Sequence, residues 1–246
     1  LEKALAARKA RDPKVREDTI RETWPKVWDV KTDAPDTDED EEEGVLADDS
    51  TSDIGLDCAY FVRPCRGERV SGDIVVVERR AGQLLVAIID ALGHGPGAHA
   101  IAVKASRFLG ESWTSDLEKT TRDLHEALRG TDGVAAGLCI FEVKALRLRY
   151  VGIGNTMIRI LGDAERTVAS TPGTLGSQMR TPREQRIALN GKDLVLLYTD
   201  GVKERFAIED YPQLRYDNVR TVARTIVTRF GKDHDDASCA ALRYQS

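Results

Sequence analysis

The chain has 246 residues, 41% of them hydrophobic, and a formal net charge of −5. That length suits one good-sized domain with an extension, or two small domains, and the apolar content is enough for a core. No apolar run approaches the ~20 residues of a membrane-spanning helix, and no basic surface of the kind nucleic acids need is evident.

No basic start followed by an apolar signal region is present, so a cytoplasmic setting is expected. The chain begins at Leu1, not Met, as a piece of a longer protein would. Its four cysteines, Cys58, Cys65, Cys139 and Cys239, form no CxxC pair. Reduced thiols are expected over a disulfide or a zinc site.

The charge is uneven. Residues 1–53 carry nine basic and 17 acidic side chains, a balance of −8, which leaves 27 basic and 24 acidic side chains, +3, for the rest. Within the first 30 residues Pro13 and Pro25 interrupt a short helical pattern. Trp24, Val27 and Trp28 form a small apolar cluster, suited to a tail that is poorly ordered or docks on a surface. From Asp33 to Asp53 there are eleven acids and no Lys or Arg, which predicts a solvated linker. Residues 1–54 therefore read as an extension and 55–246 as the folded domain.

In the domain, residues 58–63 alternate as a strand, and Ser71-Gly72-Asp73 leads into the β-branched run Ile74–Val77. Arg80-Ala81-Gly82-Gln83 predicts a hairpin turn into Leu84–Ile89, which ends on the single carboxylate Asp90. A glycine-rich loop, Gly93-His94-Gly95-Pro96-Gly97, comes next. Ile101, Ala105, Phe108 and Leu109 then share a helical face. A second helix is predicted from Leu117 to Leu128, capped by Ser115 or Asp116 and stopped by Gly130. Short strands follow at 137–143, 146–151, 157–161 and 167–169. Asn190-Gly191 predicts a hairpin joining 186–189 to 194–199. Asp200-Gly201 closes the latter strand. A third helix spans 219–230, and a final strand, 238–243, follows His234-Asp235-Asp236.

Strands joined by hairpins predict antiparallel sheets, and helices that do not alternate with strands disfavour a doubly wound fold. A two-sheet sandwich with helices on its outer faces fits this order. There is no GxxxxGK[ST] loop. Gly152-x-Gly154 lacks a third glycine and sits between hairpin strands, so neither phosphate-cradling motif is present. No Ser-His-Asp spacing is evident.

Asp73, Asp90, Asp200 and Asp235 each lie at a predicted strand end. Any one alone reads as a turn or cap residue. Gathered, they would repel unless cations neutralise them, and oxygen-only ligands suit Mg²⁺ or Mn²⁺. A metal pair can lower the pKa of a bridging water and clamp a phosphoryl oxygen.

Six short motifs occur in order: Ser71-Gly72-Asp73, Asp90-Ala91-Leu92-Gly93-His94-Gly95, Gly154-Asn155, Thr174-Leu175-Gly176, Leu197-Tyr198-Thr199-Asp200-Gly201 and Asp235-Asp236-Ala237-Ser238. In this they resemble the bacterial PPM-type (PP2C-like) serine/threonine phosphatases, above all the sporulation-phosphatase and stressosome-phosphatase branch, across roughly residues 55–246. The resemblance implies an α+β fold, a four-layer α-β-β-α sandwich of two antiparallel sheets flanked by helices. It implies two Mn²⁺ or Mg²⁺ ions, with Asp90 bridging and the Ala91 carbonyl adding a ligand. Asp73 would serve one ion, Asp200 and Asp235 the other, and Asp236 is the alternative to its neighbour. A metal-bound water would attack phosphoserine or phosphothreonine of a phosphorylated regulatory protein, of the stressosome-scaffold or anti-sigma-factor-antagonist kind. Neither nucleic acid nor membrane is an implied partner.

Two departures stand out. Ala91 replaces a glycine that many relatives carry, and no long insertion separates Leu161 from Arg186, which implies an open site with specificity from docking. His94 reads either as a proton donor to the leaving oxygen or as a loop residue packing the turn. Asn155 reads as a support on its turn, His99 as a helix-face residue and His125 as a surface one. Arg63 and Arg66 are candidate phosphate contacts or solvated surface.

Overall fold

The computed structural model describes residues 42–46, 55–203, 206 and 211–244. The expectations for the Trp24–Trp28 cluster and for most of the acidic run lie outside those residues. Strands are β1 (Glu42–Leu46), β2 (Leu56–Arg63), β3 (Asp73–Arg80), β4 (Gln83–Ala91), β5 (Val134–Glu142), β6 (Arg147–Ile153), β7 (Met157–Leu161), β8 (Glu165–Ala169), β9 (Gln185–Ala188), β10 (Leu194–Tyr198) and β11 (Ala237–Tyr244). Helices are α1 (Gly95–Ser112), α2 (Leu117–Ala127) and α3 (Val219–Phe230).

Every strand pair is antiparallel. One sheet runs β1-β2-β11-β10-β7-β8 and the other β3-β4-β5-β6-β9. The two sheets pack face to face through Val86, Ile88, Cys139, Phe141, Tyr150, Val195, Leu197 and Leu242. On the outer face of the second sheet, Leu85, Ala87 and Ile89 meet Ala98, Ala102, Ala105 and Leu109 of α1 and Leu117 and Leu124 of α2. On the outer face of the first, Leu196, Tyr198 and Ala241 meet Val222, Ala223 and Ile226 of α3. The result is the expected α-β-β-α sandwich. It also explains why Leu84–Ile89 shows no alternation. Even positions face the other sheet, odd positions face the helices, and both sides exclude water.

Local signals fix the helix ends. The Asp116 side chain accepts from the Lys119 N–H at 2.9 Å and caps α2, and Asn218 does the same for α3 through Thr221 at 2.8 Å. Arg80 donates to the Gly110, Glu111 and Trp113 carbonyls at the end of α1. All four cysteines are buried and unbridged. Among the described residues no helix is long and apolar enough to cross a membrane.

Two expectations change. The acidic linker contains a strand: β1 pairs with β2 from Glu42↔Val62 to Leu46↔Cys58. The unpaired peptide groups of β2 would otherwise form an open edge, and Gly44-Val45-Leu46 supplies backbone to cover it. The sheet therefore starts at Glu42, not near Ile54. The Asn190-Gly191 hairpin is also not formed. β9 pairs with β6, whereas β10 pairs with β7 and β11. The turn carries the chain from one sheet to the other. Asp193 holds it there, taking the Asn190 N–H at 3.0 Å and Arg166 at 2.6 Å. Turn residues fix a reversal, but the strand's partner is set by which sheet its side chains fill.

Candidate metal centre

The sandwich brings the candidate acids to one end of both sheets. Asp73 opens β3 and Asp90 lies directly opposite it near the end of β4. Asp200 follows β10 and Asp235 precedes β11, so the other sheet supplies these two. Thr199 joins the sheets: its hydroxyl donates to Asp73 Oδ2 at 2.6 Å and accepts from the Ser238 N–H at 3.1 Å. The Ser71 hydroxyl accepts from the Asp73 N–H at 3.0 Å.

Backbone closeness explains the glycines. The Ala91 N–H donates to the Gly72 carbonyl at 3.1 Å. A Cβ on Gly72 would lie 2.9 Å from Ala98 Cβ, 3.0 Å from Asp236 Oδ2 and 3.5 Å from the Ala91 carbonyl oxygen. A Cβ on Gly201 would overlap the Asp236 carbonyl oxygen. The loops bearing Asp200 and Asp235 are further tied by Lys232 N–H to Gly201 carbonyl at 2.7 Å.

The carboxylates feel one another. Burial, then Asp200, Asp235 and Asp236, push Asp90 up to about 7, with a hydrogen bond from the Asn155 side chain pulling the other way. Asp73 is 2% exposed. Burial first, and Asp90 second, hold it well above the usual carboxylate range despite the Thr199 hydrogen bond. Asp235 is raised by burial and Asp200, with Lys232 offsetting part of the rise. Such a set of oxygen donors, costly to ionise together, has the chemistry of a hard divalent cation site. Among the described residues, however, no three His, Cys, Asp or Glu side chains already form a cage for an ion.

Asp236 has a different posture from its neighbour. It is buried, and its two oxygens accept from the Cys65 N–H at 2.7 Å and the Gly72 N–H at 2.8 Å. It fastens the β2–β3 loop to the β11 loop. Arg63 likewise is not solvated surface: its guanidinium donates to the Lys232 carbonyl at 2.8 Å and the Pro64 carbonyl at 3.3 Å. Arg66 is exposed. His94 is exposed and its Nδ1 lies 2.8 Å from Glu68 Oε1. His99 is half-buried and donates from Nδ1 to the Ser71 carbonyl at 2.8 Å, beside the segment that carries Asp73. His125 is buried, not on the surface. Its Nδ1 accepts from the Gly176 N–H at 3.1 Å and secures the Thr174-Leu175-Gly176 turn. The helical period put His125 on a face, but nothing in the sequence says that a loop 50 residues on covers that face. The sequence places Thr199 in the Leu197–Gly201 motif without giving it a role, and it does not mark Glu68 at all. Thr199's position before Asp200 was the one signal for it; Glu68 had none.

Comparison with known proteins defines the class. Residues 80–245 match the family described as stage II sporulation protein E (SpoIIE), and the chain belongs to that family. It stands in the sporulation and stressosome branch of the bacterial PPM-type (PP2C-like) phosphatases. Among solved structures, one from work on the bacterial stressosome as a modular system adapted to control secondary messenger signalling is similar at 27% identity and TM-score 0.71, covering 76% of this chain and 99% of that one. RsbX in complex with magnesium shares the fold at 14% identity and TM-score 0.70, over 82% and 99% of the two chains. The catalytic domain of the serine/threonine phosphatase PstP, in complex with two manganese ions, does so at 17% identity and TM-score 0.61, over 78% and 99%. No curated protein matches the chain.

Proposed function

We propose that this protein is a metal-dependent phosphatase that removes phosphate from serine or threonine of a phosphorylated regulatory protein, of the stressosome-scaffold or anti-sigma-factor-antagonist kind. The observation that carries the reading is the convergence of Asp73, Asp90, Asp200 and Asp235, from four strand ends on two sheets, with Asp90 pushed up to about 7 by burial and its neighbours. Family membership and the manganese-bound and magnesium-bound relatives support it.

In this reading Asp73, Asp90, Asp200 and Asp235, with the Ala91 carbonyl, hold two Mn²⁺ or Mg²⁺ ions. When bound, the ions supply an activated water and draw charge from the phosphoryl oxygens. Asp236 keeps the loops in register, as its two backbone bonds require. Thr199 aims Asp73. His94, exposed at the start of α1, stands ready to hand a proton to the leaving oxygen. The protein substrate docks at the open end of the sandwich, in the cytoplasm. The test is phosphate release from a phosphorylated antagonist-type domain in the presence of Mn²⁺; absence of turnover at every metal concentration refutes it.

The alternative is a phosphatase-fold binding module without activity, since a fold does not by itself carry a function. Isothermal titration with Mn²⁺ separates the two: binding lost in Asp90→Asn supports the enzyme, and no binding to the native chain supports the module.

A further inference from the structure

Glu68 occupies a position that the metal centre does not use. It ends a turn closed by its own N–H to the Cys65 carbonyl at 2.9 Å. That turn is bolted to the loop carrying Asp235: the Arg66 N–H donates to the Asp233 carbonyl at 3.1 Å, and the Cys65 N–H to Asp236 at 2.7 Å. On its other side the Glu68 carboxylate reaches the loop after Asp90. It lies 2.8 Å from His94 Nδ1, and a Cβ on Gly95 would come within 2.6 Å of Glu68 Oε2. The turn's backbone holds one ligand-bearing loop while its Glu68 side chain reaches the other.

His94 is the N-cap residue of α1, yet its side chain makes no capping bond. The ring is turned to Glu68 instead. An ionised carboxylate can only accept, so Nδ1 carries the hydrogen and Nε2 is left for other chemistry. His94's side chain is 57% exposed and that of Glu68 28%, so a docked phosphoprotein can meet the ring.

We propose that Glu68 is a positioning residue: it holds His94 with Nε2 directed outward and stabilises the imidazolium that protonates the leaving seryl or threonyl oxygen. This rests on the phosphatase reading above. As the water oxygen bonds to phosphorus, the ester P–O bond breaks. The ester oxygen takes the proton from Nε2 and leaves as the alcohol. The water keeps one proton on the hydrogen phosphate and gives its other to Nε2, restoring the imidazolium. Alkyl leaving groups need this proton; a nitrophenolate does not.

Two measurements decide it. In Glu68→Gln, with Mn²⁺, the ratio of turnover on p-nitrophenyl phosphate to turnover on a phosphoserine protein rises roughly tenfold to hundredfold, a part of what general acid catalysis supplies. His94→Gln raises the ratio at least as much, and the double variant raises it no further than His94→Gln alone. An unchanged ratio with a lowered melting temperature would make Glu68 a cap of α1 alone and overturn the proposal. Independently of turnover, long-range ¹H–¹⁵N spectra, with the signal assigned by its loss in His94→Gln, report the neutral tautomer. Hydrogen on Nδ1 in the native chain, shifting toward Nε2 in Glu68→Ala, supports the role; hydrogen on Nε2 in the native chain refutes it. If the native chain hydrolyses neither substrate, the phosphatase reading falls, while the tautomer still reports whether Glu68 orients the ring.

Discussion

Replacing Asp90 with asparagine should stabilise the metal-free protein and abolish its response to metal. Asp90 is pushed from 3.8 up to about 7 by burial and by Asp200, Asp235 and Asp236. A raised acid favours its protonated form in the fold. Its contribution to stability is present in full below the unfolded value and is lost as pH rises through the folded one, so the loss runs from about pH 4 to about pH 7. At about 1.4 kcal/mol for each tenfold in proton affinity, that loss is on the order of 4 kcal/mol. Asparagine has the shape of the protonated acid and titrates nowhere in this range. In EDTA at pH 8 the variant should therefore gain about 2–4 kcal/mol, an increase of about 5–15 °C in melting temperature for a domain of this size. At pH 4 the two proteins should differ far less. Adding Mn²⁺ at pH 8 should reverse the order, since the native chain alone gains a ligand-bound state. Urea titrations with and without EDTA at both pH values supply the numbers. A variant less stable than the native chain in EDTA at pH 8, or one stabilised equally by Mn²⁺, refutes the reasoning.

The other predictions are local. Thr199→Val removes the hydroxyl that aims Asp73; metal affinity by titration calorimetry should fall about 10–100-fold while the fold survives. Gly201→Ala drives a methyl into the Asp236 carbonyl and should destabilise the protein by several kcal/mol, about 3 or more, in urea unfolding. His125→Leu leaves the buried Gly176 N–H without its acceptor and should cost about 1–3 kcal/mol in the same assay. Deleting residues 1–53 removes β1 and uncovers the edge of β2; a lower melting temperature and self-association by light scattering are expected, and the Michaelis constant of that variant shows whether the acids affect substrate binding.

Much of the fold was legible because long apolar runs, caps and period carry local physics. Leu84–Ile89 reads as a strand on any pattern, and Asp116 and Asn218 announce their helices because a cap acts within three residues. The candidate ligands were legible for a similar reason: an acid between an apolar run and a glycine is unusual in itself. What they were next to was not legible. Asp73 and Asp90 face each other across a ladder because of the β3–β4 hairpin, a short-range fact. Their meeting with Asp200 and Asp235 depends on two sheets closing over one core, and no local signal carries that. Asn190-Gly191 shows the limit. Its chemistry demanded a turn, and a turn is there, but β9 and β10 enter different sheets.

The sequence by itself therefore determined the elements, the buried faces and which acids end strands, since each depends on neighbours a few residues away. Tertiary structure alone decided which carboxylates share a site, because repulsion and burial act through space. It put Asp235 within reach of the Asp200 charge and tied Asp236 to the Cys65 and Gly72 backbone. It also set Glu68 against His94, 26 residues away in the chain, where a single carboxylate can orient an imidazole that sequence left facing either way.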